Sequence, residues 1–292
     1  MWSKDNNLLI FILILVALEA ILFLSGNFKL IQKQKLEEAR LAKIEQVFDT
    51  APVLAKTFSV YDGTERKEIY RRNGNAILPL ASLSKIMTVI VALEKYNPKD
   101  TLTVLKNSPE ENKNNALILG EKWKVKDLAK FTLVSSSNTG ALTLAQNDKN
   151  FLSEMNTKAK ALGMSNSTFS NFTGLDINQK EAGSYGKAQD VNLMVLYAVE
   201  KYPEIFGSTI FPSIVLESLS RNIHNVKNTN TIISKIPNLL FSKTGFTTLA
   251  GGNLTIIFKN KSNHNIAITL LGSTEVGRFS DMEKLVEIAN KF

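Results

Sequence analysis

A chain of 292 residues, 44% hydrophobic and 21% charged, holds enough apolar material for one large domain or two small ones. Cysteine is absent, which excludes disulfides and thiolate metal sites, and two histidines are too few for most histidine-based metal sites or to favour a Ser-His-Asp triad. The net charge of +8 comes from basic residues scattered among acids, with no basic stripe interleaved with aromatics, so no nucleic-acid partner is expected; an anionic envelope or substrate is the simpler counterpart.

Leu8 to Leu24 is apolar except for Glu19, and at seventeen residues it lies at the short end for crossing a bilayer. No Ala-x-Ala-like site follows it. An uncleaved transmembrane anchor over residues 8–25, after a short cytoplasmic stretch at 1–7, is therefore expected rather than a cleaved signal peptide. Lys29, Lys33 and Lys35 after the span, against Lys4 before it, run counter to the positive-inside tendency, but long domains translocate despite such bias. Residues 26–50 are rich in Lys, Gln and Glu, with Leu41, Ile44 and Phe48 at helical spacing, and predict a helical stalk.

The folded domain is expected over residues 51–292. Thr57–Tyr61 and Lys67–Arg71 flank Asp62-Gly63, a hairpin signal. Ser82–Lys95 reads as a buried helix, Val125–Asn147 as a helix carrying a Ser-Ser-Asn segment, and Phe151–Leu162 as another that ends at Gly163. Asp190 is placed as the cap of a helix through Val199, and Ser280 as the cap of a last helix over Met282–Lys291. Asn253–Phe258 and Asn265–Gly272 form a hairpin across a polar turn that contains His264. His224, among Arg221, Asn222 and Asn225, is likewise read as a solvated turn residue. Strands at both ends with helices between them predict an α+β fold: one antiparallel sheet built from both termini, with a helical insert.

Three short patterns carry chemistry. Ser82-Leu83-Ser84-Lys85 precedes Ser136-Ser137-Asn138, and Lys243-Thr244-Gly245 follows both. Ser184-Tyr185-Gly186-Lys187 and Ser220-Arg221-Asn222 repeat the first two patterns, but the first is bracketed by Gly183 and Gly186 in a loop-like context and neither has a partner tripeptide at a suitable distance. In this chain order the trio is the one found in penicillin-binding proteins and class A β-lactamases. Residues three apart on a helix have Cβ atoms about 5–6 Å apart, so the Lys85 amine can reach the Ser82 hydroxyl. A lysine near its reference pKa of about 10.4 is no base at neutral pH, and burial or a neighbouring cation must lower it; Lys243 is the candidate cation. Ser136 can pass a proton to a leaving nitrogen, and Asn138 can bind substrate or hold Lys85. Gly245 leaves room for an extended substrate to pair with the strand edge, Thr244 and Thr247 offer hydroxyls to a carboxylate, and the N–H groups of Ser82 and Phe246 can form an oxyanion hole.

At these residues the chain resembles the D-alanyl-D-alanine carboxypeptidases of peptidase family S11, the low-molecular-mass penicillin-binding proteins. The resemblance extends to Ala81–Thr88, Ser136–Ala141, Thr173-Gly174-Leu175-Asp176, Lys243–Thr247 with Ala250–Leu254, and Arg278-Phe279, and covers about residues 51–292. It implies a β-lactamase/transpeptidase-like fold, an antiparallel sheet packed with helices plus a helical subdomain. It also implies Ser82 as nucleophile, Lys85 as general base, Ser136 as proton relay and Lys243 as binder of the terminal carboxylate, with Asn138, Thr244, Gly245, Phe246 and Thr247 around the substrate. The expected substrate is a peptidoglycan pentapeptide, with β-lactams as covalent inhibitors and neither metal nor cofactor. Phe241 stands where the family usually has Gly, and Thr173 replaces a usual His. The same motifs admit two rivals. A class A β-lactamase needs a water-activating acid, for which Glu181 is the one glutamate between Glu154 and Glu200, and it usually has Asp where Ser137 stands. A membrane β-lactam sensor needs an output domain, and about seven residues precede the span.

Overall fold

The computed structural model describes residues 4–108 and 116–291; within the first helix, the side chains of 4–22, 24–26 and 37 also lie outside the description. The chain divides into two compact units, Met1–Val47 and Phe48–Phe292. Among the described residues the first consists of a single element, α1 (Lys4–Asp49), whose last two residues belong to the second. The anchor expected over 8–25 falls on side chains outside the description, Phe23 apart, and among the described residues no helix is long and apolar enough to cross a membrane.

The second unit is built on a five-stranded antiparallel sheet in the order β10-β11-β12-β1-β2. Its strands are β1 (Thr57–Asp62) and β2 (Lys67–Arg72) from the start of the unit, and β10 (Leu239–Thr247), β11 (Gly251–Lys259) and β12 (Asn265–Ser273) from its end. The chain ends meet where β1 pairs with β12, from Thr57 opposite Leu271 to Asp62 opposite Ile266. The expected sheet from both termini therefore forms, and β10 is left as an edge strand.

Between the two groups of strands lie α2 (Ser84–Lys95), α3 (Val125–Ser135), α4 (Asn138–Ala145), α5 (Phe151–Ala161), α6 (Ala188–Lys201) and the short α7 (Pro203–Phe206); α8 (Gly277–Ala289) closes the chain. Every residue of α2 from Ser84 to Leu93 is buried, so this helix is the spine of the core. α6 is tied to the sheet by a buried polar ladder: Asn192 donates to Ser59 O (3.1 Å) and accepts from Thr269 Oγ1 (2.7 Å), and Thr255 and Thr269 pair their hydroxyls at 2.7 Å. At the other end, the buried Asp281 carboxylate accepts the N–H groups of Leu54 and Ala55 and the Ser273 hydroxyl, which ties the entering chain to α8.

The structure differs from the expected helices and turns at four places. The segment 125–147 is not one helix: it breaks at Ser136-Ser137 between α3 and α4. Asp190 lies inside α6, which starts at Ala188, and accepts from Ser167 Oγ at 2.8 Å. Ser280 lies in the first turn of α8, donating to Gly277 O at 3.0 Å. His224 is no solvated turn residue; it sits on β9 (Ile223–Lys227), which pairs with β8 (Ser213–Glu217) in a separate two-stranded sheet. Its ring packs 5.2 Å from Trp123 and 5.5 Å from Phe131, and Nε2 lies 2.8 Å from the buried Glu121 carboxylate. Period-two alternation in Ile223–Lys227 puts His224 on the inward face; of the polar neighbours that suggested a turn, Arg221 and Asn222 belong to the turn before β9, and Asn225 is an outward residue of the strand.

Candidate active site

The chain enters α2 through a tight 3-10 turn, Ala81–Leu83, with Ala81 held at φ +49°, a left-handed conformation that costs a non-glycine residue. The turn leaves Ser82 half-buried and reachable, while Ser84 and Lys85 point into the core with no exposed surface. Lys85 Nζ donates to Ser82 Oγ at 2.9 Å and to the Thr173 carbonyl at 2.7 Å. The lysine is thus clamped between its own helix and the loop of residues 171–176, which places the amine against the hydroxyl as the spacing predicts.

Ser136 occupies the break after α3 in a left-handed conformation, φ +60°. Its hydroxyl accepts from Lys243 Nζ at 2.8 Å. Ser137 caps α4, accepting from Gly140 N at 2.9 Å, and a Cβ at Gly140 would lie 2.3 Å from Thr132 Oγ1, so the two helices cross closely here. Ser and Asp cap a helix about equally well. Asn138 opens α4 and is buried.

Lys243 comes from β10 and is 1% exposed. Burial, then the charges of Lys85 and Arg278, hold its ammonium well below the ordinary lysine value. Where the sequence leads us to expect Lys243 to act on Lys85, the structure shows Lys85 acting on Lys243. The guanidinium of Arg278, a cation desolvated by burial, donates to Gly245 O at 2.8 Å. Three basic side chains therefore gather around the Lys243–Gly245 stretch of β10.

β10 is an edge strand, and Ser242 N–H points outward to Thr209 Oγ1 at 3.0 Å. Alternation along the strand turns the N–H groups of Thr244 and Phe246 to the same open side. A Cβ at Gly245 would meet Leu80 O at 3.0 Å and Ser82 N at 3.3 Å, so glycine lets the strand lie against the nucleophile turn and keeps that N–H clear. Thr244 Oγ1 pairs with Thr229 Oγ1 at 2.6 Å. Thr247 Oγ1 donates to Asp176 Oδ1 at 2.8 Å, while Asp176 Oδ2 accepts Leu249 N at 3.1 Å. The Thr247 proton is thereby engaged within the protein, and Thr229 is a site residue that no motif announces.

The sequence pattern of the D-alanyl-D-alanine carboxypeptidase family, peptidase family S11, matches residues 44–274. The chain belongs to this family. Among relatives, the S11 chain is 28% identical over 246 residues to D-alanyl-D-alanine carboxypeptidase DacF of Bacillus subtilis, covering 80% of this chain and 62% of that protein. It is 32% identical over 201 residues to a D-alanyl-D-alanine endopeptidase of Pseudomonas aeruginosa, covering 66% and 63%. It thus spans somewhat under two thirds of these two relatives. A penicillin-binding protein of Listeria monocytogenes in its ampicillin-bound form superposes with a TM-score of 0.71 at 28% identity, covering 81% of this chain and 98% of that one.

The two repeated motifs have other duties. Ser184 lies on β7 (Ser184–Gly186), a short strand rather than a loop, which pairs with β3 (Leu78–Pro79) and places its buried hydroxyl against Ser84 Oγ. Ser220 and Asn222 belong to the β8–β9 turn, where Ser220 Oγ accepts Lys122 N and Asn222 donates to Glu121.

Proposed function

We propose that the chain is a serine-type D-Ala-D-Ala carboxypeptidase that removes the terminal D-Ala of peptidoglycan stem peptides through an acyl-enzyme on Ser82, and that it binds penicillin covalently at that residue. The observation that carries the reading is a pair of buried lysines, each on a serine: Lys85 Nζ at 2.9 Å from Ser82 Oγ and Lys243 Nζ at 2.8 Å from Ser136 Oγ. Lys85 acts as the general base that takes the Ser82 proton as Oγ attacks the penultimate carbonyl. The N–H groups of Ser82 and Phe246 hold the oxyanion, and the edge of β10 pairs with the extended peptide. Ser136 delivers the proton to the departing D-Ala nitrogen. The cluster of Lys243 with Arg278 suits the terminal carboxylate, with Thr244, Thr247 and Asn138 around it. Water then hydrolyses the ester and returns Ser82.

The β-lactamase rival is not favoured: Glu181 is exposed, and its side chain meets Asn178. Endopeptidase action on cross-linked peptides is a second reading, favoured by the relative from P. aeruginosa. The N-terminal segment supports a membrane anchor over residues 8–25 with the catalytic domain outside the cytoplasm, because its apolar run has no small-residue cleavage pattern behind it. Product analysis decides the activity: free D-Ala and tetrapeptide from a pentapeptide ending in D-Ala-D-Ala are expected. Cleavage of cross-linked dimers alone would install the endopeptidase reading instead.

A further inference from the structure

Behind the nucleophile turn lies a relay that the mechanism above does not use. Ser84 Oγ donates to Ala81 O at 2.8 Å, and Ser184 Oγ lies in hydrogen-bond contact with Ser84 Oγ. Both serines have no exposed surface. A serine hydroxyl has one proton to donate. Ser84 uses its proton on the Ala81 carbonyl, so Ser184 is the donor in the second bond, and the order is Ser184 to Ser84 to Ala81 O. The carbonyl of Ala81 and the N–H of Ser82 belong to one peptide group, which shares its electrons across O, C and N. Hydrogen bonds at the oxygen draw density toward it and leave the N–H a stronger donor, and bonds in series reinforce one another. The relay also holds the plane of that peptide, whose Ala81 end is in a left-handed conformation.

The surroundings seal the relay. Leu80 N donates to Ser184 O at 3.1 Å, which fixes β7 to the turn. Gly174, at φ +78°, crosses so closely that a Cβ there would lie 1.9 Å from Ala81 O and 2.6 Å from Ser84 Oγ. The backbone thus covers the side from which water would otherwise compete for the carbonyl.

We propose that Ser184 is a positioning residue that strengthens and aims the oxyanion donor at Ser82 through Ser84 and the Ala81–Ser82 peptide, an inference that rests on the carboxypeptidase reading above. Losing an oxyanion donor outright costs about 10²–10³-fold, so weakening one is expected to cost less, roughly 3–30-fold. The test uses the full chain, with acylation by penicillin followed by stopped flow and the acyl-ester carbonyl stretch by infrared difference spectroscopy. Ser184→Ala should slow both acylation and deacylation by that factor and move the ester band to higher wavenumber, because the carbonyl accepts a weaker bond. Ser184→Thr, which keeps the hydroxyl, should return both toward the parent. Parent-like rates in Ser184→Ala would overturn the inference and leave the carboxypeptidase reading standing. Slower rates with an unmoved band and no recovery in Ser184→Thr would overturn it as well, since a packing defect predicts that pattern. A parent chain that forms no ester on Ser82 removes both readings together.

Discussion

Ser82 is the half-buried hydroxyl in a setting where its neighbours Ser84 and Lys85 are fully enclosed, and this contrast makes it the residue a reagent can reach. A fluorescent penicillin should therefore label Ser82 alone; Ser82→Ala should abolish labelling with its circular dichroism spectrum unchanged, and a mapped adduct on Ser136 or Ser184 would refute the assignment. Lys243 gives a prediction of the opposite kind. Burial first, and then the basic groups of Lys85 and Arg278, hold this ammonium well below its ordinary value near 10.5, so the unfolded chain binds that proton more tightly than the folded one. The penalty is complete below the folded pKa and disappears as pH rises through the unfolded value. Lys243→Met should thus lose acylation yet melt at or above the parent temperature at neutral pH, with the difference shrinking toward alkaline pH; a loss of several degrees at neutral pH would count against a strained cation. The three motifs made these residues readable in the sequence, since Ser-x-x-Lys spacing alone brings hydroxyl and amine together. Thr229 was not readable, because its partner Thr244 is 15 positions away and only the fold brings the two hydroxyls to 2.6 Å.

At the level of elements, the break between α3 and α4 is what the sequence concealed. No Gly or Pro marks it, and the left-handed residue is Ser136 itself, so apolar periodicity runs through the gap as though the helix were continuous. The cap is the local signal for it. Ser137→Ala should destabilise the domain by about 0.5–2 kcal/mol in chemical denaturation, whereas Ser137→Asp should hold stability near the parent. If both cost the same, the capping role is wrong. The packing of β10 against the turn gives a sharper test. Gly245→Ala would place a methyl 3.3 Å from Ser82 N and 3.0 Å from Leu80 O. A displacement of even part of an ångström at a reacting centre is expensive, so acylation by penicillin is expected to fall about 10- to 100-fold with the melting temperature little changed.

Across the whole molecule, the sheet drawn from both chain ends was legible because β1, β2, β11 and β12 announce themselves by hairpin turns and apolar alternation. The β8–β9 sheet was not, since its outward face mixes apolar Val215 and Ile223 with polar residues, which blurs the alternation, and its turn carries neither Gly nor Pro. The proposed anchor predicts that the full chain sediments with membranes and resists carbonate extraction; a mature N-terminus near Gly26 or Asn27 would indicate secretion instead. The penicilloyl ester should persist far longer than the peptide ester, because the cleaved β-lactam amine stays tethered over the site while D-Ala departs. Stopped-flow deacylation in milliseconds for both would return the β-lactamase reading.

If the proposed carboxypeptidase reading holds, the open edge of β10 has a consequence for how the chain can adapt under antibiotic pressure. An edge strand reads amide groups and a terminal carboxylate, features common to any extended peptide, rather than side chains. A molecule that imitates that backbone presents the site with nothing it can refuse on chemical grounds. Mutations that shut the edge against the imitator also shut it against the substrate, so on this geometry escape has to come from faster release of the adduct or from changes outside the chain.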